Sequence, residues 1–272
     1  MSDANAGGYE QIRYEVTGDV AIITLNRPDR LNAWTRRMSA EYTDAVGTAN
    51  ADSSIGAILF TGAGRGFCAG ADVESQFKAQ LDGETDLVPK QRSREDGHNP
   101  TDWVTIVRQA KPCVAALNGV AVGIGLTMVL PMDQILASDQ ARLSCRFVKM
   151  GITPELASSH FLVQRCGWGA ASDLALSGRM VDATDALRVG LIDRVVPHDE
   201  LMTQALALAG EYAANPDPQL RMIKQLLTEN ACETDTKVIQ QREGEALRKA
   251  MVSPEFAEAV DAFLHKRPAK FR

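Results

Sequence analysis

The chain has 272 residues, 45% of them hydrophobic, and a formal net charge of −6. That length and apolar content support one large buried core with at most a small appendage. The acidic balance argues against general nucleic-acid binding, which needs a basic face, yet leaves room for an anionic ligand held by a few local cations.

Residues 1–8 are short and polar, without the cationic start and apolar run of a secretory signal. Residues 9–17 and 20–25 alternate and carry β-branched side chains, with Thr17-Gly18-Asp19 between them, which predicts a hairpin. Thr35 is placed to cap the next helix, in which Trp34, Met38 and Tyr42 recur at four-residue spacing. Residues 55–61 and 114–118 read as buried strands, each leading into a glycine-rich turn. Residues 132–137 and 141–144 suggest two more strands. From about residue 200 the pattern becomes helical, and Leu220, Ile223 and Leu227 share one helical face. These signals give an α/β core over residues 1–200 and a helical region over 201–272. Residues 76–102 are polar, of mixed charge, and interrupted by Gly83, Pro89, Gly97 and Pro100, as in a long surface loop.

The cysteines Cys68, Cys113, Cys145, Cys166 and Cys232 are odd in number and widely spaced. They suit a reduced protein better than a disulfide framework, and no pair has zinc-like spacing. The longest apolar stretch, residues 120–130, is too short to span a bilayer. The expectation is a soluble, cytoplasmic protein with no metal site and no membrane or nucleic-acid partner.

Two motifs carry the chemistry. Gly66-Phe67-Cys68-Ala69-Gly70-Ala71-Asp72 and Asn118-Gly119-Val120-Ala121-Val122-Gly123-Ile124-Gly125 are small-residue turns feeding helix starts. The first N–H groups of a helix lack internal partners and sit at its positive end. Two such turns brought together aim a pair of backbone donors at one oxygen, which is how an oxyanion is held. Asp72 in the first turn reads as a stabiliser of the helix start that follows it.

These turns share a longer pattern with Leu25-Asn26-Arg27-Pro28, Leu31-Asn32-Ala33, Lys111-Pro112, Ser177-Gly178-Arg179 and Gly190-Leu191-Ile192-Asp193. In that order and spacing, over roughly residues 10–270, the chain resembles the crotonase (enoyl-CoA hydratase/isomerase) superfamily. The resemblance implies a superhelix of ββα turns with a C-terminal helical region, and a homotrimer or dimer of trimers. A coenzyme A thioester is then the substrate, with no separate cofactor. It places the oxyanion donors at the amides of Ala71 and Ile124, where the family often has glycine at the second position. It sets Arg30, Leu31 and Ala69 beside coenzyme A, with Phe263 and Lys266 reaching the coenzyme A site of a neighbouring subunit. Residues 76–102 are then either a surface insertion or a flap over the acyl pocket.

Hydration of a 2-enoyl thioester needs two acid/base groups, and the family's hydratases use two glutamates. Carried onto this chain, those positions are Thr127 and Phe147, neither of which is a carboxylate. Glu155, in Thr153-Pro154-Glu155-Leu156, instead resembles the single glutamate of peroxisomal-type Δ3,Δ2-enoyl-CoA isomerases, although Leu156 stands where that pattern has glycine. The local sequence also allows a plain structural reading. Thr153 would cap a helix, Pro154 would be its first residue, and Glu155 would only complement the dipole. The favoured expectation is isomerisation with Glu155 as the base. The alternatives are 2-enoyl-CoA hydration and acyl-CoA binding without turnover.

Overall fold

The structure, a computed structural model, describes residues 8–78, 81–83 and 102–272. Most of the loop expected at 76–102 lies outside those residues. The chain opens with the hairpin: strand β1 (Ile12–Thr17) pairs antiparallel with β2 (Val20–Leu25), in register from Ile12 opposite Leu25 to Thr17 opposite Val20. Residues 9–11 fall outside the pairing. Instead, the carboxylate of Glu41 accepts from the backbone amides of Glu10 and Gln11. Helix α1 (Arg36–Ala51) starts where the sequence predicts, with Thr35 Oγ1 accepting from the Met38 amide at 3.0 Å. Its Met38 and Tyr42 turn inward, and Tyr42 packs among Trp34, Phe60 and Trp103 with ring centroids 5.0–5.3 Å apart.

The core is built by a chain that alternates between two sheets. Strands β3 (Ala57–Gly62), β5 (Cys113–Leu117) and β7 (Gln134–Ser138) join β2 in parallel, and β10 (Arg194–Val196) closes that six-stranded sheet. Each inner strand is followed within a few residues by a short one in a second sheet: β4 (Gly66–Cys68), β6 (Val120–Val122) and β8 (Arg142–Ser144), also parallel to one another. Strand β9 (Val181–Asp182) completes the second sheet in antiparallel sense. Large-sheet strand, small-sheet strand and helical turn therefore repeat, giving the expected ββα superhelix.

The inner strands are buried on both faces, as parallel strands usually are. Successive side chains point to opposite sides. Thus Ile58, Phe60, Ala115, Leu117, Ile135 and Ala137 enter the main core between the sheets. Ala57, Leu59, Val114, Ala116 and Leu136 face the other way. Helix α2 (Trp103–Gln109) contributes Trp103 and Val107 to the main core. The outer face is covered by helix α6 (Leu201–Ala213) through Leu201, Ala205, Leu208, Ala209 and Ala213. Each fully buried Leu or Ile in such a layer contributes about 1.5–3 kcal/mol.

Several motif residues prove to be structural. Asn32 is fully buried and donates to the carbonyls of Ala63 and Gly66 at 3.0 and 2.8 Å. Asp193 accepts from the Ile135 amide at 2.7 Å and pairs with Arg165, which also donates to the Leu130 and Met132 carbonyls. Lys111 is buried, with its ammonium donating to the carbonyls of Ala49 and Asp52 at the end of α1, where a cation offsets the helix dipole.

The remaining helices are α3 (Ile124–Thr127), α4 (Ser158–Ser177, broken at Gly167), α5 (Ala183–Arg188), α7 (Asp217–Asn230), α8 (Thr236–Met251) and α9 (Pro254–Leu264). Helix α7 is fastened to the sheet base by Lys224, whose Nζ lies 2.7 Å from an Asp133 carboxylate oxygen. Among the described residues the apolar face expected on this helix is largely uncovered, with Ile223 55% and Leu227 65% exposed. None of the described helices is long and apolar enough to cross a membrane.

Candidate active site

Because β4, β6 and β8 are parallel neighbours, the segments following them emerge side by side at one edge of the small sheet. That edge gathers the first turn (residues 69–72), the second turn (123–125) and the 3-10 turn Arg146–Met150 that leads to Glu155. The two glycine-rich turns are in near contact. A Cβ on Gly125 would lie 2.3 Å from the Cys68 carbonyl oxygen, and one on Gly70 would lie 3.2 Å from that of Val122. Only residues without side chains allow backbones to approach this closely.

The direction of the amides follows from the pairing. Trp34 bridges Ala71 in parallel sense: its amide donates to the Gly70 carbonyl at 2.8 Å and its carbonyl accepts from the Asp72 amide at 2.9 Å. Both bonds use the residues flanking Ala71, so the Ala71 amide itself points to the other side of the strand. Ile124 is the first residue of α3, where an amide has no acceptor one turn back. The Ile124 side chain is half-buried against the main core.

Asp72 behaves as the sequence suggests. It accepts from the Ser75 amide at 3.1 Å at the start of the wide helical turn Val73–Lys78 and forms an ion pair with Arg27 at 3.0 Å. Partial burial opposes its charge, but the Ser75 amide and Arg27 hold the carboxyl below the usual carboxylate range. It is thereby committed as an anion in a structural pair. Cys68 is fully buried, and burial pushes its thiol up to about 12, which is unsuited to a nucleophile.

At Glu155 the structure departs from the helix start that the local sequence allows. Thr153 and Pro154 do not start a helix; residues 152–157 form an irregular segment, and α4 begins at Ser158 after Ala157. Leu156 and Ala157 both take left-handed backbone, with φ of 54° and 52°. Side chains there clash with their own backbone, at about 1–2 kcal/mol per residue. Two consecutive left-handed residues turn the chain sharply and keep Glu155 off the helix, so the dipole-only reading does not hold. The Leu156 position is one that favours the glycine of the isomerase pattern.

The Glu155 side chain is half-buried, and its Oε1 accepts a hydrogen bond of 2.8 Å from Thr127 Oγ1. Burial raises the Glu155 pKa above the ordinary carboxylate value, against the smaller opposing effect of the Thr127 hydroxyl. Thr127 is fully buried and ends α3, the short helix that begins with Ile124. Phe147 is buried and apolar. Sequence reasoning missed the Thr127–Glu155 pair. The available signal was that Thr127 occupies a position where hydratases carry an acid.

Of the residues expected to border coenzyme A, Leu31 and Ala69 are brought together, the Ala69 amide donating to the Leu31 carbonyl at 3.0 Å. Arg30 lies beside them on the 3-10 turn Pro28–Arg30, exposed and 3.7 Å from Glu74. It lines an open cleft of about 580 Å³ together with Arg27, Arg36, Arg37 and Asp72. Phe263 lies in the last turn of α9, and Lys266 lies two residues past its end. Phe263 is 83% exposed, and among the described residues no hydrogen bond or ion pair joins either residue to the Arg30 group. Among the described residues no cluster of three or more metal-ligating side chains occurs.

The profile of the enoyl-CoA hydratase/isomerase family matches residues 15–272. A protein of Mycobacterium bovis named a probable enoyl-CoA hydratase is 33% identical over 97% of this chain and 98% of its own length. A 1,2-epoxyphenylacetyl-CoA isomerase of Escherichia coli is 35% identical over 96% and 98%. Among solved structures, an enoyl-CoA hydratase subunit from Geobacillus kaustophilus superposes with a TM-score of 0.83 at 31% identity, covering 97% of this chain and 98% of that one. The chain belongs to the enoyl-CoA hydratase/isomerase family and has the crotonase fold.

Replacing Gly125 by Ala is expected to force the two turns apart and displace the Ile124 amide. A fall of roughly 100-fold in kcat/KM for an acyl-CoA substrate is expected, with a melting temperature measured in parallel. Unchanged kcat/KM would show that the close approach at Cys68 is irrelevant to activity.

Proposed function

We propose that the chain is a Δ3,Δ2-enoyl-CoA isomerase that works with one carboxylate. The observation that carries this reading is the half-buried Glu155, hydrogen-bonded to Thr127, on the edge that also holds the Ala71 and Ile124 amides. In this reading Glu155 removes a proton from C2 of a 3-enoyl thioester. The electrons move into a dienolate whose thioester oxygen is held by the two amides. The same carboxyl then returns the proton at C4, giving the 2-enoyl product. Burial strengthens Glu155 as a base by raising its pKa. The step consumes no water and needs no metal or redox cofactor.

In this reading Arg30, Leu31 and Ala69 border the coenzyme A moiety, and Phe263 and Lys266 complete that site from a neighbouring copy. A homotrimer or dimer of trimers, with residues 201–272 as its shared helical region, is supported by the exposed apolar side chains of α7 and α9. A cytoplasmic location goes with this proposal.

The second reading, hydration of a 2-enoyl-CoA, is favoured by the names of the Mycobacterium bovis and Geobacillus kaustophilus relatives. It requires a second acid/base group, and neither Thr127 nor Phe147 supplies a carboxylate. Incubating the protein separately with 3-enoyl-CoA and 2-enoyl-CoA, with products resolved by mass, decides between them. A product of unchanged mass and a shifted double bond is expected from the 3-enoyl substrate. Efficient gain of one water by the 2-enoyl substrate would overturn the isomerase reading. Binding without turnover of either would leave an acyl-CoA-binding role.

A further inference from the structure

We infer that Thr127 is a positioning residue for Glu155: its hydroxyl clamps carboxylate Oε1, so that Oε2 is the oxygen that carries the proton. The inference rests on the isomerase reading for its catalytic meaning, though the clamp can be tested without it.

Glu155 sits on an irregular segment between the turn Arg146–Met150 and α4, with left-handed residues on its C-terminal side. A carboxylate on such a segment has several rotamers open to it, and proton transfer between two carbons requires one. Thr127 Oγ1 donates to Oε1 at 2.8 Å from a fully buried position. Among the described residues, that is the hydrogen bond the Glu155 side chain makes. The titratable groups on the flanking elements are Arg146 and Lys149 of the preceding turn and His160, Arg165, Cys166 and Asp173 of α4. None of them hydrogen-bonds or ion-pairs with Glu155, and α3 carries no titratable side chain.

The placement of Thr127 also fixes the relation between base and oxyanion donor. Thr127 is three residues after Ile124 in one short helix, and its amide donates to the Gly123 carbonyl at 2.9 Å. Residues three apart in a helix lie on the same side. A carboxylate tied to Thr127 is therefore tied to the rigid element that carries the Ile124 amide. Two acceptor atoms on one group then have separate duties: Oε1 accepts the hydrogen bond from the Thr127 hydroxyl, and Oε2 is left to remove a proton at C2 and release it at C4. One carboxylate oxygen serving both carbons fits a transfer in which no second acid/base group takes part.

The test compares Thr127→Val and Thr127→Ser with the parent protein. Valine keeps the shape and removes the hydroxyl, whereas serine restores it. For Thr127→Val, kcat with 3-enoyl-CoA is expected to fall about 10- to 100-fold, as for a misoriented base, with KM within about three-fold if only orientation is lost. The acid limb of the pH–kcat/KM profile is expected to move to higher pH, because losing a donor to the carboxylate disfavours its charged form. Thr127→Ser is expected to restore both. The second readout is titration of the Glu155 carboxyl by carbon-13 NMR, identified by its absence in Glu155→Gln. Thr127→Val is expected to move that titration upward. An unmoved titration, or an unmoved limb with unchanged kcat, overturns the clamp. A moved titration in a protein that turns over no 3-enoyl-CoA supports the clamp and overturns the isomerase reading.

Discussion

Glu155→Gln is expected to lower kcat for 3-enoyl-CoA isomerisation by about 10²- to 10⁴-fold, the usual contribution of a positioned acid/base group. Coenzyme A thioester binding should change little, because the amide keeps the size of the side chain and can still accept from Thr127. The pH dependence of the parent enzyme follows from the raised pKa of Glu155. In the isomerase reading the base is the anion, so kcat/KM should rise with pH through a limb above the ordinary glutamate range. The stability effect has the opposite sign. A carboxyl whose pKa is raised on folding is tolerated when protonated and destabilises the fold as pH rises through its folded-state pKa. Glu155→Gln removes that effect, so at neutral pH the variant should melt at or above the parent temperature, while the two converge at low pH. Retained isomerisation in a folded Glu155→Gln protein would eliminate the single-carboxylate mechanism.

Lys224→Met is expected to be the most destabilising of these changes, by about 3–5 kcal/mol. Lys224 is buried, its ammonium 2.7 Å from Asp133, and the same carboxylate oxygen accepts from the Cys113 amide at 2.7 Å. Removing the cation leaves Asp133 charged and half-enclosed at the base of β5, with no ion-pair partner. Unfolding in urea should show a lower midpoint at unchanged slope. Adding Asp133→Asn should recover part of the loss, since an uncharged amide needs no cation. If the losses of Lys224→Met and Asp133→Asn simply add, the two side chains do not act as a pair. The activity of folded Lys224→Met protein should persist, because the pair lies on the helix-fastening side of the sheet rather than at the Glu155 edge.

Local features were legible because their causes lie within a few residues. The Thr17-Gly18-Asp19 turn depends on Gly18, whose φ of 56° suits a residue without a side chain, and the Thr35 cap and the capping by Asp72 depend on side chains reaching nearby amides. The fully apolar strands were legible by composition, since parallel strands covered on both faces exclude polar residues. At the start of α4 the local sequence left two readings open, and backbone geometry further along decided between them. Thr153-Pro154-Glu155 is a good local helix start, but Leu156 and Ala157 take left-handed backbone and the helix begins only at Ser158. The apolar face of α7 was correctly patterned, yet among the described residues Ile223 and Leu227 stay more than half exposed.

By itself, then, the sequence determined the family, the alternation of strand and turn, and the absence of carboxylates at positions 127 and 147, because these are properties of residue identity and order. Only the tertiary structure decided that Gly125 lies against Cys68, that the Ala71 amide faces away from Trp34, and that Thr127 bonds Glu155. Those relations join segments tens of residues apart. They exist because parallel pairing of β4, β6 and β8 delivers three separate turns to one edge, a fact of strand order in space that no local pattern encodes.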